Sequence, residues 1–198
     1  MTETVDEVFK NVIRISDTTA NPGVLGLLAF GMTTIILNLH NAGFFALGSV
    51  VFAMGIFFGG IAQVIAGIME WKKNNTFGML AFISYGFFWI VLVFMMLMPA
   101  LGWTGALDKV SLVAYLALWG LFSLVMFVIT FRLSKALQVV FGLLVLLFIL
   151  LVVGNALGSE TIIHIAGYEG ILCGLAAMYT SLGEVMNEVF KEKVINLG

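Results

Sequence analysis

The stretch NPGVLGLLAFGMTTIILNLHN, Asn21 to Asn41, decides the fold class. It opens with a helix-start signal: Asn21 is a good N-cap, and Pro22 suits the first turn, where its missing N–H costs nothing. From there the chain runs apolar and uncharged to Asn38, long enough to cross most of a bilayer. Thr33, Thr34 and Asn38 place polar groups inside that run, and Gly26 and Gly31 leave room for close neighbours. A helix that only anchors has little use for such residues; a helix that lines something does.

The rest of the chain has the same character. Of its 198 residues 62% are hydrophobic and 10% charged, and the mean hydropathy is +1.13. Soluble domains average about 25% charged residues, so this composition is that of an integral membrane protein. The formal net charge is −2 and the basic residues are never massed, which points away from a nucleic-acid partner. Cys173 is the single cysteine, so neither an internal disulfide nor a cysteine-based zinc site can form. Residues 1–20 are polar and mixed in charge, without the basic, apolar, small-residue order of a cleaved signal peptide. They read as a short soluble segment.

Charges cut the remainder into hydrophobic blocks that predict six transmembrane helices, over 24–40, 46–69, 76–98, 111–131, 136–157 and 162–186. The connections are short, the longest running from Pro99 to Lys109. The expected architecture is an all-α integral membrane protein with one six-helix domain over 21–190, preceded by segment 1–20 and followed by a C-terminal tail, 191–198. Lys10, Arg14, Lys72, Lys73, Arg132, Lys135, Lys191 and Lys193 fall on one side of it, and only Lys109 on the other. The positive-inside rule then places both termini in the cytoplasm and the protein in the cytoplasmic membrane.

Polar residues within the spans are the candidates for function. In GIFFGGIAQVIAGIMEWKK, residues 55–73, a helical period puts Gly59, Gln63, Ala66 and Glu70 on one face. An amide in an apolar run needs a partner or a wet cavity; Gln63 is either a pathway hydrogen-bonder or a structural interhelical contact. Glu70 sits at the membrane edge beside Lys72 and Lys73, where an ion pair or helix anchor also accounts for it. Tyr85 lies too deep for an interfacial belt, and on the residues alone it reads as core packing with one hydrogen bond. Span four, with Trp119 and Ser123, looks mainly structural. On span five Leu137, Phe141, Leu144, Phe148 and Asn155 share a face, either plain packing or an apolar pore wall with a polar mouth. Span six carries Glu169 and Glu184, and an ionisable residue within a span is a functional candidate by default, although Glu169 stands near enough to the outer end to be hydrated. Gly55/Gly59 and Gly170/Gly174 are GxxxG pairs that allow close helix packing. His40 and His164 lie at the outer boundary without a carboxylate cluster, so no metal is expected, and no cofactor. Signatures of metalloprotease, nucleophile-elbow and phosphate-loop chemistry are absent from the sequence, so no enzyme is expected.

These residues resemble the acetate uptake transporter family, whose bacterial members are succinate–acetate permeases. The family's signature NPAPLGL stands here as Asn21-Pro22-Gly23-Val24-Leu25-Gly26-Leu27, with Val24 in place of the second proline. GMTTIILNLHN (31–41), FFGGIAQVIAGIMEWKKNNTFG (57–78), AFISYGFFW (81–89) and LGEVMNE (182–188) are close matches. The resemblance implies a six-helix protomer assembling as a homohexamer, each protomer with its own pathway. It implies a constriction of Phe30, Tyr85 and Leu144, and it moves Tyr85 from packing to function. Asn21, Thr33, Thr34, Asn38, Gln63, Ser84 and Asn155 are then the candidate pathway donors, and Glu70, Glu169 and Glu184 the candidates for proton coupling. The expected function is passage of acetate and succinate, proton-coupled or channel-like. A pore for small neutral solutes such as urea, ammonia or water, and a non-transporting sensor or assembly subunit, are the alternatives.

Overall fold

The computed structural model describes residues 19–198, all helix and connecting turn. The expectation for residues 1–18, including the placement of Lys10 and Arg14, lies outside the described residues. Six helices long and apolar enough to cross a membrane follow one another: α1 (Gly23–Asn41), α2 (Ser49–Lys72), α3 (Thr76–Ala100), α4 (Lys109–Thr130), α5 (Lys135–Leu157) and α6 (Glu160–Phe190). Their order and placement are those predicted, with ends shifted by a few residues. The 31 residues of α6 rise about 46 Å at about 1.5 Å each, well beyond a hydrocarbon core of about 30 Å. Its last turns therefore stand clear of the apolar layer.

Helix starts follow local chemistry. The side chains of Asn75, Asp108, Ser134 and Ser159 each accept from the backbone N–H three residues on, at 3.0, 2.8, 3.3 and 3.4 Å, and so satisfy donors the helix leaves open. At α1 the expectation needs a correction of one residue. The cap position belongs to Pro22, while Asn21 Oδ1 accepts from Gly23 N at 2.9 Å. Val24 thus lies in the first turn, where an N–H has no intrahelical partner and a proline would also fit. Pro99 is a second correction: it stands in the last turn of α3, and the loop that follows is residues 101–108. Near a helix C-terminus a missing N–H removes one hydrogen bond without stopping the turn already formed.

The helices form a ring. α3 packs on α2, α2 on α1, α1 on α6, α6 on α5 and α5 on α4. Side chains close it between α3 and α4: Tyr115 Oη donates to the Phe88 carbonyl at 2.8 Å, and Tyr85 meets Ser123 at 2.8 Å. Glycines set the tightest approaches. A Cβ on Gly174 would lie 2.6 Å from the Gly31 carbonyl oxygen, and one on Gly170 2.2 Å from Asn38 Cγ, so this GxxxG pair seats α6 on α1 inside the protomer. The other pair divides, with Gly55 against Val93 of α3 and Gly59 against Thr33 of α1. The reason lies in a feature the sequence reading did not predict: Met54–Ala62 is wound as π-helix, so α2 changes the faces it presents midway. Beyond α6 the chain folds back. Asn187 exchanges two hydrogen bonds with the Ile195 backbone, both 2.8 Å, and the Leu197 carbonyl accepts from Ala136 N at 2.9 Å, so the tail straps the end of α6 to the start of α5.

Candidate functional site

Inside the ring lies a cavity of about 170 Å³, bounded by α1, α2, α3, α5 and α6; α4 contributes nothing to its wall. Its deep end is apolar. Phe30, Tyr85, Phe141 and Leu144 meet there, all buried, with the rings of Phe30 and Tyr85 6.0 Å apart and those of Tyr85 and Phe141 6.2 Å apart. The three residues expected at a constriction are therefore brought together at one place. Phe141 joins them; the sequence had put it on the same face of α5 as Leu144 without separating wall from packing.

Tyr85 does not offer its proton to this space. Ser123 Oγ donates to the Trp119 carbonyl at 2.8 Å, which uses the only proton a serine hydroxyl has. The 2.8 Å contact between Tyr85 and Ser123 is then a bond from tyrosine to serine. The collar is lined by the ring and the oxygen lone pairs of Tyr85.

The other end of the cavity is a mouth built twice from the same parts. Asn21 caps Gly23 with Oδ1 and donates from Nδ2 to Glu184 Oε2 at 2.9 Å. Asn75 caps Gly78 with Oδ1 and donates from Nδ2 to Glu70 Oε2 at 2.7 Å. Each asparagine fixes the start of a helix and clamps a glutamate beside it. Glu70 lies against both helix starts: a Cβ on Gly23 would be 3.0 Å from its Oε1, and one on Gly78 2.9 Å from its Cδ. Asn75 was legible only as a loop residue, although an Asn directly before Thr76 and the apolar run is itself an N-cap signal.

Gln63 stands in the wall between collar and mouth, 1% exposed, at the first residue after the π-helical turns. Its Oε1 is buried with no hydrogen-bond partner. The remaining predicted donors are elsewhere. Thr33 Oγ1 makes a long 3.5 Å bond to the Met54 carbonyl in the π-helix, and Asn38 Nδ2 donates within α1 to the Thr34 carbonyl at 2.9 Å while its side chain packs on Gly170 of α6; both lie outside the cavity. Thr34 Oγ1 is buried without a partner and also outside it, and Ser84 is half-buried away from the wall. Asn155 lines a separate vestibule with His40, Asn41, Lys109 and His164, and donates to the Leu151 carbonyl at 2.8 Å. Glu169 is 9% exposed with both oxygens unpartnered, so it is not the hydrated group its distance from the helix end suggested, and it does not line the cavity. Among the described residues no group of three His, Cys, Asp or Glu has the spacing to hold a metal ion.

This geometry has known relatives. The chain is 54% identical over 179 residues to the succinate-acetate/proton symporter SatP of Escherichia coli (strain K12), covering 90% of this chain and 95% of that protein. It is 50% identical over 188 residues to an uncharacterized protein of Methanothermobacter thermautotrophicus, covering 91% of this chain and 92% of that one. The solved structure of the bacterial acetate channel SatP superposes with a TM-score of 0.90 at 54% identity, over 91% of this chain and 100% of that one. The model of the GPR1/FUN34/yaaH family matches residues 10–197, and the chain belongs to that family.

Proposed function

We propose that this protein carries acetate, and succinate, across the cytoplasmic membrane through the cavity of each protomer. The observation that carries the reading is the meeting of Phe30, Tyr85 and Leu144 at the closed end of a cavity whose open end is polar. The names of the relatives supply the substrate class: one is called a succinate-acetate/proton symporter and the other an acetate channel. The lysine and arginine distribution supports both termini in the cytoplasm, which makes the Asn21–Glu184 and Asn75–Glu70 mouth the inner one. The vestibule around Asn155 is then the outer one. A homohexamer is part of the proposal through the family resemblance, and the apolar outward faces of α2 and α4, with Phe57, Leu118 and Leu121 exposed, suit lipid or a neighbouring protomer.

Phe30, Tyr85, Phe141 and Leu144 act as a collar that excludes hydrated ions. Placing an ionised carboxylate in such a collar with no counter-charge costs tens of kcal/mol in the low-dielectric limit, whereas a neutral carboxylic acid with unmet hydrogen bonds costs roughly 2–7 kcal/mol. No Lys, Arg or His lines the cavity. The collar therefore passes either a neutral acid or an anion escorted by dipoles. Of the proposed donors Asn21 and Gln63 line this cavity, and of the proposed proton-coupling groups Glu70 and Glu184 do. Radiolabelled acetate uptake into proteoliposomes of the purified protein, against protein-free vesicles that report leakage of the neutral acid, tests the reading. Uptake above the control, and its loss when Phe30 and Leu144 are both replaced by Trp, is the expected result. Equal uptake in both kinds of vesicle refutes transport.

A further inference from the structure

We infer that Gln63 selects the protonated carboxylic acid, and that proton coupling in this protein is carried by the substrate itself. The inference rests on the proposed transport function and names the chemical form of its cargo. Its basis is the state of one amide. Gln63 is almost completely buried, lies in the cavity wall with Phe30, Tyr85 and Leu144, and its Oε1 has no donor within reach. No described residue is bonded to the amide nitrogen either. A buried amide oxygen left open is uncommon, because it loses water and gains nothing in return.

What fits it is set by its valence. A primary amide presents one acceptor and one donor side by side. A neutral carboxyl group presents the complementary pair, an O–H donor and a C=O acceptor, and the two close into a ring of two hydrogen bonds. The carboxylate anion is acceptor-only. It takes the amide N–H but leaves Oε1 facing a negative oxygen. The remaining groups of the cavity do not rescue the anion. Tyr85 has committed its proton to Ser123, and Asn21 and Asn75, each with one of its two side-chain N–H donors spent on Glu184 or Glu70, stand at the mouth rather than at the collar. The titratable side chains lining the same space are Glu70 from α2, Tyr85 from α3 and Glu184 from α6; α1 and α5 contribute none, and no cation is among them.

Proton balance follows without a relay. Acetate binds a proton from water on one side, crosses as the neutral acid paired in passing with Gln63, and releases the proton on the other side. One proton moves with each molecule, although no side chain of the protein changes its protonation. This accounts for relatives that are called a proton symporter in one case and a channel in the other.

The test compares acetate with acetamide, a neutral isostere that can form the same two-bond ring with an amide at any pH. Fluxes are measured in proteoliposomes of the full chain with equal pH on both sides, in steps from mildly acidic to neutral, with protein-free vesicles subtracted. The expected result is acetate flux that falls about tenfold per pH unit, as the neutral fraction of a carboxylic acid does well above its own pKa, and acetamide flux that is level across the series. Gln63→Met, of similar length and without the amide, is expected to lower both fluxes about tenfold, a loss of about 1.4 kcal/mol of transition-state stabilisation. Acetate flux that stays level with pH overturns the inference in favour of an escorted anion and leaves the proposed function standing. Acetamide flux with the same pH slope as acetate overturns it in favour of a titrating protein group, Glu70 or Glu184. Unchanged fluxes in Gln63→Met remove the role of the amide. No flux of either solute above the control removes the transport reading along with it. The wild-type series decides by itself if Gln63→Met does not fold.

Discussion

Replacing Tyr85 by Phe separates the two roles a tyrosine can play in an apolar collar. The hydroxyl is bonded to Ser123, which itself still donates to the Trp119 carbonyl after the change. The substitution therefore deletes one neutral buried hydrogen bond and strands no donor, a cost of about 1 kcal/mol. For a chain of this size that lowers the melting temperature by roughly 2–4 °C. The ring keeps its contacts with Phe30, Trp119, Phe122 and Phe141, at centroid distances of 6.0, 6.0, 5.4 and 6.2 Å. Since the proton never faced the cavity, acetate flux in proteoliposomes is expected to stay within about threefold of wild type, a change in barrier of about 0.7 kcal/mol. Tyr85→Ala is the contrast. It removes the ring, costs about 3–5 kcal/mol as a buried aromatic truncation, and opens the collar, so selectivity for acetate over larger solutes falls. A folded Tyr85→Phe protein with flux reduced tenfold or more would refute the assignment of the tyrosine proton to Ser123 and give it to the substrate.

Other positions carry predictions of their own. Asn75→Ala removes the cap of α3 and the 2.7 Å donor to Glu70 together, so its cost in detergent thermal unfolding should exceed the roughly 1 kcal/mol of a simple cap deletion; a cost under about half of that contradicts the double role. Gly170→Ala drives a methyl to 2.2 Å from Asn38 Cγ and is expected to cost about 1–3 kcal/mol as overpacking, while Gly105→Ala, with nothing within 4 Å, stays within about 0.5 kcal/mol of wild type. Two hydrogen bonds from Ser111 hold the Asp108 carboxyl below its ordinary pKa. A depressed carboxyl contributes stability above its unfolded value and loses it as pH falls through the folded one. Amide exchange at Ser111 and Leu112, corrected for intrinsic rates, should therefore quicken below the usual aspartate range, and Asp108→Asn should abolish that step.

How much of this was written in the sequence depends on how local the cause is. Helix number and order came from apolar run length and charge placement, while the four capping side chains, Asn75, Asp108, Ser134 and Ser159, were found only in the folded chain. The π-helix at Met54–Ala62 was not legible, because its winding follows from close packing of Gly55, Gly59 and Gly60 against two different helices, a tertiary matter. For the same reason the sequence did not tell that the polar residues Thr33, Thr34 and Asn38 of α1 lie outside the wall of this cavity. Thr33 and Asn38 share the polarity of pathway residues, but Thr33 packs on α2 and Asn38 on α6, and only the packing partner tells wall from seam. Gln63 could be narrowed to pathway or structural bond; the absence of any structural bond is what the folded chain adds.

The mouth and the collar act in the same direction on the charge of what passes. A helix start carries about half a positive charge and ordinarily attracts a carboxylate. Two such starts, α1 and α3, face this cavity, and a pathway built to capture an anion would leave them open. Here Asn21 and Asn75 hold Glu184 and Glu70 against them. With both glutamates ionised the mouth is negative on balance, and with one of them protonated it is close to neutral, so in neither state does it concentrate anions. The protein thus occupies its own anion sites with tethered carboxyls, and leaves open in the wall between mouth and collar the Gln63 amide, which a neutral acid satisfies at both ends. Exchanging Glu70 and Glu184 for Gln exposes the helix starts to solution anions while keeping hydrogen-bonding side chains in place. That double variant should bind acetate anion at the mouth more tightly and release it more slowly, so flux saturates at lower acetate concentration with a lower maximum. Flux with an unchanged concentration dependence would show that the two clamps serve only to hold the helices together.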